Sequence, residues 1–380
     1  MKSLDNILEL FPKTMWYRLT RSGLVGPANP ITLTFSVTAA CQSRCKTCQI
    51  GKRYHENPDI VKRDLRLDEI EKVFESLGHV YFFNISGGEP FLRKDLPKIV
   101  ELACKYLKPA IIHIPTNALM PKCIEKTTKE ILGIIDTSGS NAPLTIKPSI
   151  DGIGELHDEI RGVKGNFKKL EDTVKRLLRL QKENQRLHVE LGTVESNFNI
   201  DHLDEIEDYV HSLGVESYRN EIAEQRTEFY NIGDPITPSA EVYEQLMKRF
   251  SNKIKENTNS KRKLARMTES MRLVYYELAA KILREHRQVI PCYAGISNVH
   301  INFDGEVWPC CVLGYDKPMG YLRECDYDFQ EIWHSEQAAE VRRFIKDGNC
   351  ACPLANQAYS NILVNAGTLL KVIRNFSRFH

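Results

Sequence analysis

The chain has no long hydrophobic run. No apolar stretch approaches the roughly 20 residues a membrane-crossing helix needs, so none is expected to span a bilayer. It also lacks an excess of charge of either sign. Its 52 basic and 50 acidic side chains leave a formal net charge of +2, too small for the whole-molecule field of a nucleic-acid-binding protein. No secretory signal is expected from the polar Met1-Lys2-Ser3-Leu4-Asp5, and the expected home is a reducing cytoplasm. In that setting the eleven cysteines are not a disulfide scaffold, which belongs to short secreted chains. With 380 residues, 42% of them hydrophobic and 27% charged, the chain can form one large domain and a small one, each with its own core.

The cysteines are grouped. Cys41, Cys45 and Cys48 follow the alternating run Ile31 to Val37 with the spacing C-x3-C-x2-C. A [4Fe-4S] cube takes four ligands, usually thiolates. Three leave one iron open, and an open iron can chelate the amino and carboxylate groups of S-adenosylmethionine (SAM). A zinc knot is the alternative, but zinc motifs usually pair C-x2-C with a second pair or with histidines, and neither lies close. At these residues the chain resembles the radical SAM superfamily, whose cluster motif has this spacing. The resemblance implies reductive cleavage of SAM to a 5′-deoxyadenosyl radical, which takes a hydrogen atom from substrate. It also implies a low-potential electron donor such as flavodoxin or ferredoxin. Thr47 stands where the family usually has an aromatic residue near the adenine.

From Ile31 onward strand-like and helical patterns alternate six times, which implies a parallel sheet with helical crossovers. The strand-like runs are Thr32–Thr38, Val80–Ser86, Ala110–Ile114, Leu144–Ile150, His188–Val194 and Val215–Ile222. A doubly wound sheet gathers its ligand at one switch point, whereas a barrel collects residues from the carboxyl ends of many strands. Here nearly every strand ends in chemistry, which is barrel behaviour. The expected fold class is α/β: a partial (β/α)6, TIM-like barrel with a small C-terminal auxiliary-cluster domain.

Gly87-Gly88-Glu89-Pro90 resembles the family's GGE motif, which holds the methionine amino group, and the two glycines let backbone approach a ligand closely. Thr116-Asn117 resembles the family's third strand end, with Ala118 where glycine is usual. Ser149 and Asp151 offer acceptors for ribose hydroxyls or the methionine moiety, in a run to His157, Arg161 and Gly162 that is similar to the family's. The fifth strand contributes Thr193 through Asn199, with Val194 counted among the cofactor-binding residues. The sixth carries Arg219, Glu221, Glu224 and Arg226, charges that would face substrate inside an open barrel or solvent at its edge.

A second metal site is expected downstream. Ser297 to Val312 reads as a hairpin turning at Asp304-Gly305, with Cys292 before it, Cys310 at its end and Cys350-x-Cys352 beyond a helix. C-x12-G-x4-C followed by a distant close pair resembles the SPASM extension, shortened here to its twitch form with one auxiliary [4Fe-4S] cluster. Cys292, Cys310, Cys350 and Cys352 are the expected ligands, Cys311 or Cys325 could substitute, and zinc on the same four thiols is the alternative. Cys104 and Cys123 read as buried apolar residues.

The resulting layout is an N-terminal strap over 1–30 (Leu4, Ile7, Leu8, Leu10, Phe11), the barrel over 31–234, a helical insertion over 235–290, the auxiliary domain over 291–355 and one amphipathic helix over 356–380. In that last helix Ile362, Ala366, Leu369, Ile373 and Phe376 form an apolar stripe. The insertion (Val242, Leu246, Phe250, Ile254, Leu264, Met267) reads as core filler before it reads as a lid. The roughly 30 residues before the first strand are too few for a fused peptide-recognition domain. That favours a small molecule, sugar or lipid as substrate, the last suggested by the amphipathic termini, which could also touch a membrane surface. A peptide substrate is the alternative, and a non-catalytic iron–sulfur or zinc scaffold is the rival of a different class.

Overall fold

The structure, a computed structural model, describes residues 2–215, 217–257 and 263–378. Its centre is a sheet in the order β6-β5-β4-β3-β2-β1-β7-β8-β9. The strands are β1 (Thr32–Ser36), β2 (Phe82–Ser86), β3 (Ile111–Thr116), β4 (Leu144–Pro148), β5 (Leu187–Glu195), β6 (Ser217–Ile222), β7 (Asn298–Ile301), β8 (Glu306–Trp308) and β9 (Gly320–Tyr321). β1 to β6 run parallel, each paired with the next. β6 does not pair back to β1 among the described residues, so the six-stranded barrel is open.

The helices, in chain order, are α1 (Lys2–Ser22), α2 (Ile50–Glu56), α3 (Leu67–Leu77), α4 (Leu96–Leu102), α5 (Pro121–Thr137), α6 (Glu155–Arg161), α7 (Asn166–Glu183), α8 (Leu203–Ser212), α9 (Ala240–Asn257), α10 (Lys263–Glu285), α11 (Phe329–Trp333), α12 (Glu336–Lys346), α13 (Ala355–Val364) and α14 (Ala366–Arg378). No helix is long and apolar enough to cross a membrane among the described residues.

The period-2 pattern of the strands decides what faces what. In β1 Leu33 and Phe35 are buried in the outer core, where Phe74 of α3 stands edge-on to both Phe35 and Phe83. The alternate residue Thr34 points inward with Asn84, Ser86 and His113 of the neighbouring strands, and Ser36 Oγ meets His300 Nε2 of β7 at 2.8 Å. In register across β1, β2 and β3, Asn84 Nδ2 donates to Thr34 Oγ1 at 3.4 Å, and Asn84 Oδ1 meets His113 Nδ1 at 2.7 Å. The barrel is therefore apolar outside, under its helices, and polar inside.

The C-terminal hairpin is not a separate lobe. β7 adds to β1 in parallel, from Thr32↔Asn298 to Phe35↔Ile301, so both expected metal sites stand on one sheet. Val307, Trp333 and Ile345 share a single apolar core with β1 to β4. α9 and α10 lie in a second core with β5, β6 and α13, as core filler would, although Val242 is exposed.

Two local expectations are corrected. The C-terminal segment forms two helices, because Asn365 leaves helical geometry after α13 and its Oδ1 accepts from Thr368 N at 3.0 Å to start α14. That restart resets the helical phase: Thr368 and Val372 face inward, while Ile373 of the expected stripe is exposed. Cys123 is exposed rather than buried, because α5 turns it to the surface; Cys104 is buried. The expected strap side chains Leu4, Ile7, Leu8, Leu10 and Phe11, and Leu264 of the insertion, lie outside the described side chains. The later part of α1 docks firmly, with Tyr17 fully buried and Arg21 Nε donating to Cys292 O at 3.0 Å.

Candidate active site

The loop after β1 carries Cys41, Cys45 and Cys48, and its shape is fixed by backbone brought against it from three other segments. Gly88 N donates to Thr38 O at 2.8 Å and Glu89 N to Ala40 O at 2.7 Å. From the end of α6, Ile160 O and Arg161 O accept from Lys46 N and Arg44 N at 2.8 and 3.1 Å. Glycines make these approaches possible. A Cβ on Gly88 would fall 2.1 Å from Ala40 O, one on Gly51 1.7 Å from Ser43 O, and one on Gly162 2.2 Å from Arg44 O. Gly87 and Gly88 were expected to open backbone to a ligand; both line a small cavity beside Ser36 and Thr38, and an added Cβ on either would meet the segment that leads into the cysteine loop. Gly51 was missed, its only signal being that it opens the helix two residues after Gln49.

The strand ends expected to bind cofactor are joined to one another. The Glu89 carboxylate accepts from Asn117 N at 2.7 Å, Thr116 Oγ1 at 2.8 Å and Phe91 N at 3.2 Å. Asp151 accepts from Val194 N at 2.9 Å and from Arg161 Nη1 at 3.0 Å. Both acids are buried, with oxygens engaged by the chain's own donors, so they position strand ends. Ser149, Thr193 and Val194 line a cavity of about 210 Å³ inside the barrel, together with Thr47, Glu224 and Arg226. Asn117 points its amide at the cysteine loop, 3.2 Å from Gln42 Oε1 and 4.0 Å from Cys41 Sγ. Ala118 adopts the left-handed turn a glycine was expected to supply, at φ 62°.

Burial dominates the electrostatics of the loop. Burial, the proximity of Cys45 and the charge of Glu89 push the Cys41 thiol up to about 12. Burial raises Cys45 and, further, Cys48. The Arg161 guanidinium opposes this at Cys45 and Cys41. Around the thiols Gln42 Nε2 and Arg161 Nε are buried with no hydrogen-bond partner. Buried thiols that are costly to ionise alone, ringed by unpaired polar atoms, suit a cationic cluster that takes thiolates as ligands.

Cys292, Cys310, Cys350 and Cys352 also converge. Cys292, Cys350 and Cys352 line one cavity, and burial first, with neighbouring thiols adding to it, raises the thiols of Cys310, Cys350 and Cys352. Gln288 Nε2 stands 3.7 Å from Cys350 Sγ. Cys325 lies elsewhere, 3.4 Å from Asp328 O. Cys311 turns away from its neighbour, toward Arg226 Nη1 at 3.6 Å. The barrel cavity, which Thr47 of the first cysteine loop lines, adjoins a smaller one of about 70 Å³ that reaches Cys310 and Cys311. Arg226, Glu221 and Glu224 line the barrel cavity, as one of the two sequence readings required; Arg219 instead pairs with Glu190 at 2.9 Å.

Comparison with known proteins agrees with this geometry. Residues 35–210 match the radical SAM superfamily, and residues 292–353 match the iron–sulfur cluster-binding SPASM domain. The chain is 21% identical over 359 residues to the antilisterial bacteriocin subtilosin biosynthesis protein AlbA of Bacillus subtilis, covering 92% of this chain and 71% of that one. It is 25% identical over 330 residues to the mycofactocin maturase MftC of Mycolicibacterium smegmatis, covering 85% and 75%. Its fold is similar to that of Streptococcus suis SuiB bound to the precursor peptide SuiA, with a TM-score of 0.59 at 15% identity over 86% of this chain and 69% of that one. A radical SAM domain carries a [4Fe-4S] cluster and binds SAM, and a SPASM domain binds auxiliary iron–sulfur. The cysteine loop on its open barrel and the second cysteine group on the same sheet are those two parts, and the chain belongs to the radical SAM superfamily as an enzyme with a C-terminal SPASM iron–sulfur domain.

Proposed function

We propose that the protein is a peptide-modifying radical SAM enzyme, in which Cys41, Cys45 and Cys48 hold the SAM-binding cluster and Cys292, Cys310, Cys350 and Cys352 hold an auxiliary cluster. SAM cleaved at the first cluster supplies a 5′-deoxyadenosyl radical. The chain's own residues do the rest. Arg161 balances the thiolate charge at Cys45, while Glu89 and Asp151 fix the ends of β2 to β5 around the bound SAM. Ser149, Thr193 and Val194 would hold SAM from the cavity wall, and the interior lined by Glu221, Glu224 and Arg226 would receive the reacting side chain.

The observation that carries the peptide reading is likeness spanning most of the chain. One relative is named for the biosynthesis of a bacteriocin and the other as a maturase, and the fold likeness is to SuiB bound to its precursor peptide. The open side of the barrel, between β6 and the hairpin edge, gives an extended chain a way in. This reading displaces the small-molecule, sugar or lipid substrate favoured by sequence alone. The lipid reading loses its ground with the tail, where α14 seats Val372 in the core beside α10 and pairs Lys371 with Glu277 at 2.7 Å.

Short peptides encoded beside the gene are the substrates to try. Anaerobically reconstituted enzyme, SAM and dithionite should change the mass of one such peptide, with 5′-deoxyadenosine formed in step. If no peptide is altered while a small metabolite stimulates SAM cleavage, the peptide reading fails.

A further inference from the structure

Glu228, His300 and Cys311 meet at a point that neither expected cysteine set occupies. One ligand-capable atom of each lies within 4.8 Å of the other two. They come from distant parts of the chain: Glu228 from the loop after β6, His300 from β7 and Cys311 from the turn after β8. Glu228 and His300 are buried. Cys311 as a residue is partly exposed, but its sulfur is enclosed with the other two donors.

Imidazole, thiolate and carboxylate together form a donor set that suits zinc-class ions. Ligand bonds of about 2.0–2.3 Å at tetrahedral angles put donor atoms roughly 3.3–3.8 Å apart. Glu228 Oε1 already stands 3.8 Å from His300 Nε2. Ser36 Oγ lies 2.8 Å from the same nitrogen, so coordination would free this hydroxyl to bond whatever occupies the fourth position. That position faces the cavity of about 70 Å³ which Glu228, His300 and Cys311 help to line. Three protein ligands and one open position are the pattern of a reactive rather than a structural zinc site.

The surroundings complete the arrangement. Arg226 Nη1 stands 3.6 Å from Cys311 Sγ, as an outer donor to a metal-bound thiolate does, and Glu224 pairs with that guanidinium at 2.9 Å. With a divalent ion present, the charges of Glu224, Glu228 and ionised Cys311 are matched by the ion and Arg226. Cys311 is thereby given a role distinct from that of a substitute cluster ligand.

We propose that Glu228, His300 and Cys311 form a third metal site, a mononuclear divalent centre of the zinc class whose open position faces the substrate cavity and takes a substrate oxygen or sulfur. The site does not depend on the peptide reading. The test uses full-length protein whose clusters have been reconstituted, incubated anaerobically with zinc and passed through gel filtration. The wild type should retain about one zinc per chain, with X-ray absorption showing one sulfur near 2.3 Å and nitrogen or oxygen near 2.0–2.1 Å. His300→Ala and Glu228→Gln should each lower retained zinc about tenfold or more, with iron and sulfide per chain unchanged. An all-sulfur shell in the wild type would place the zinc on the cysteine sites and overturn the proposal, whether or not the variants fold. So would retention far below one equivalent, or variants that hold zinc as the wild type does.

Discussion

Arg161 Nη1 lies 3.0 Å from Asp151 Oδ2, and this buried pair couples the end of β4 to the cysteine loop. Arg161 also has its carbonyl on Arg44 N and its charge toward Cys45 and Cys41. Removing one partner of a buried ion pair strands the other charge, at a cost of about 3–5 kcal/mol. Arg161→Met should lower the urea midpoint accordingly, and adding Asp151→Asn should recover part of the loss. A midpoint unmoved by Arg161→Met would show that the pair bears no structural weight.

Gly51 and Gly133 should respond oppositely to alanine. At Gly51 the added methyl would sit 1.7 Å from Ser43 O, against the backbone that carries the cysteines. Gly51→Ala should therefore cost most of the iron bound after reconstitution. Gly133 is exposed within α5 and a methyl there meets nothing within 4 Å, so Gly133→Ala should stabilise by about 0.5–1 kcal/mol. Equal iron content in both variants would mean that the Gly51 contact does not shape the loop.

Ala118 holds φ 62° while fully buried, a conformation that costs an L-residue about 1–2 kcal/mol and glycine little. Against this, glycine loses more backbone freedom on folding. Ala118→Gly should raise stability by about 0.5–1 kcal/mol, read as a higher denaturation midpoint with iron content unchanged. A lower midpoint would mean that the turn carries no strain.

Glu195 is a fully buried acid. Burial pushes it up to about 8 from an ordinary value near 4.5, with Asn220 and Arg272 opposing. Between those limits the folded chain keeps a proton that the unfolded chain has released, so this group's contribution to stability falls as pH rises. Glu195→Gln removes that loss. The variant should match the wild type near pH 5 and exceed it by about 2–4 kcal/mol at pH 8. A stability difference that stays constant from pH 5 to pH 8 would mean that Glu195 is ionised throughout.

Much of this was legible in the sequence where chemistry is local. The alternation of Leu33, Phe35 and Val37 with threonine and serine located β1, and the cysteine spacings picked out both thiol groups. What escaped depends on contacts between distant segments. Nothing near Glu89 says that its carboxylate accepts from Thr116, Asn117 and Phe91, so its part in holding strand ends together was not legible. The C-terminal stripe failed because its helical phase was carried through Asn365, where the chain restarts. Cys311 could be read only as a spare cluster ligand, since Glu228 and His300 lie far from it in the chain.

The central claim is that the Cys41, Cys45 and Cys48 loop holds a cluster that cleaves SAM. The most direct measurement is 5′-deoxyadenosine released by anaerobically reconstituted protein with SAM and dithionite, wild type beside Cys45→Ala. Release by the wild type and none by the variant is the predicted result. No release by a wild type that carries its full iron, or equal release by Cys45→Ala, would contradict it.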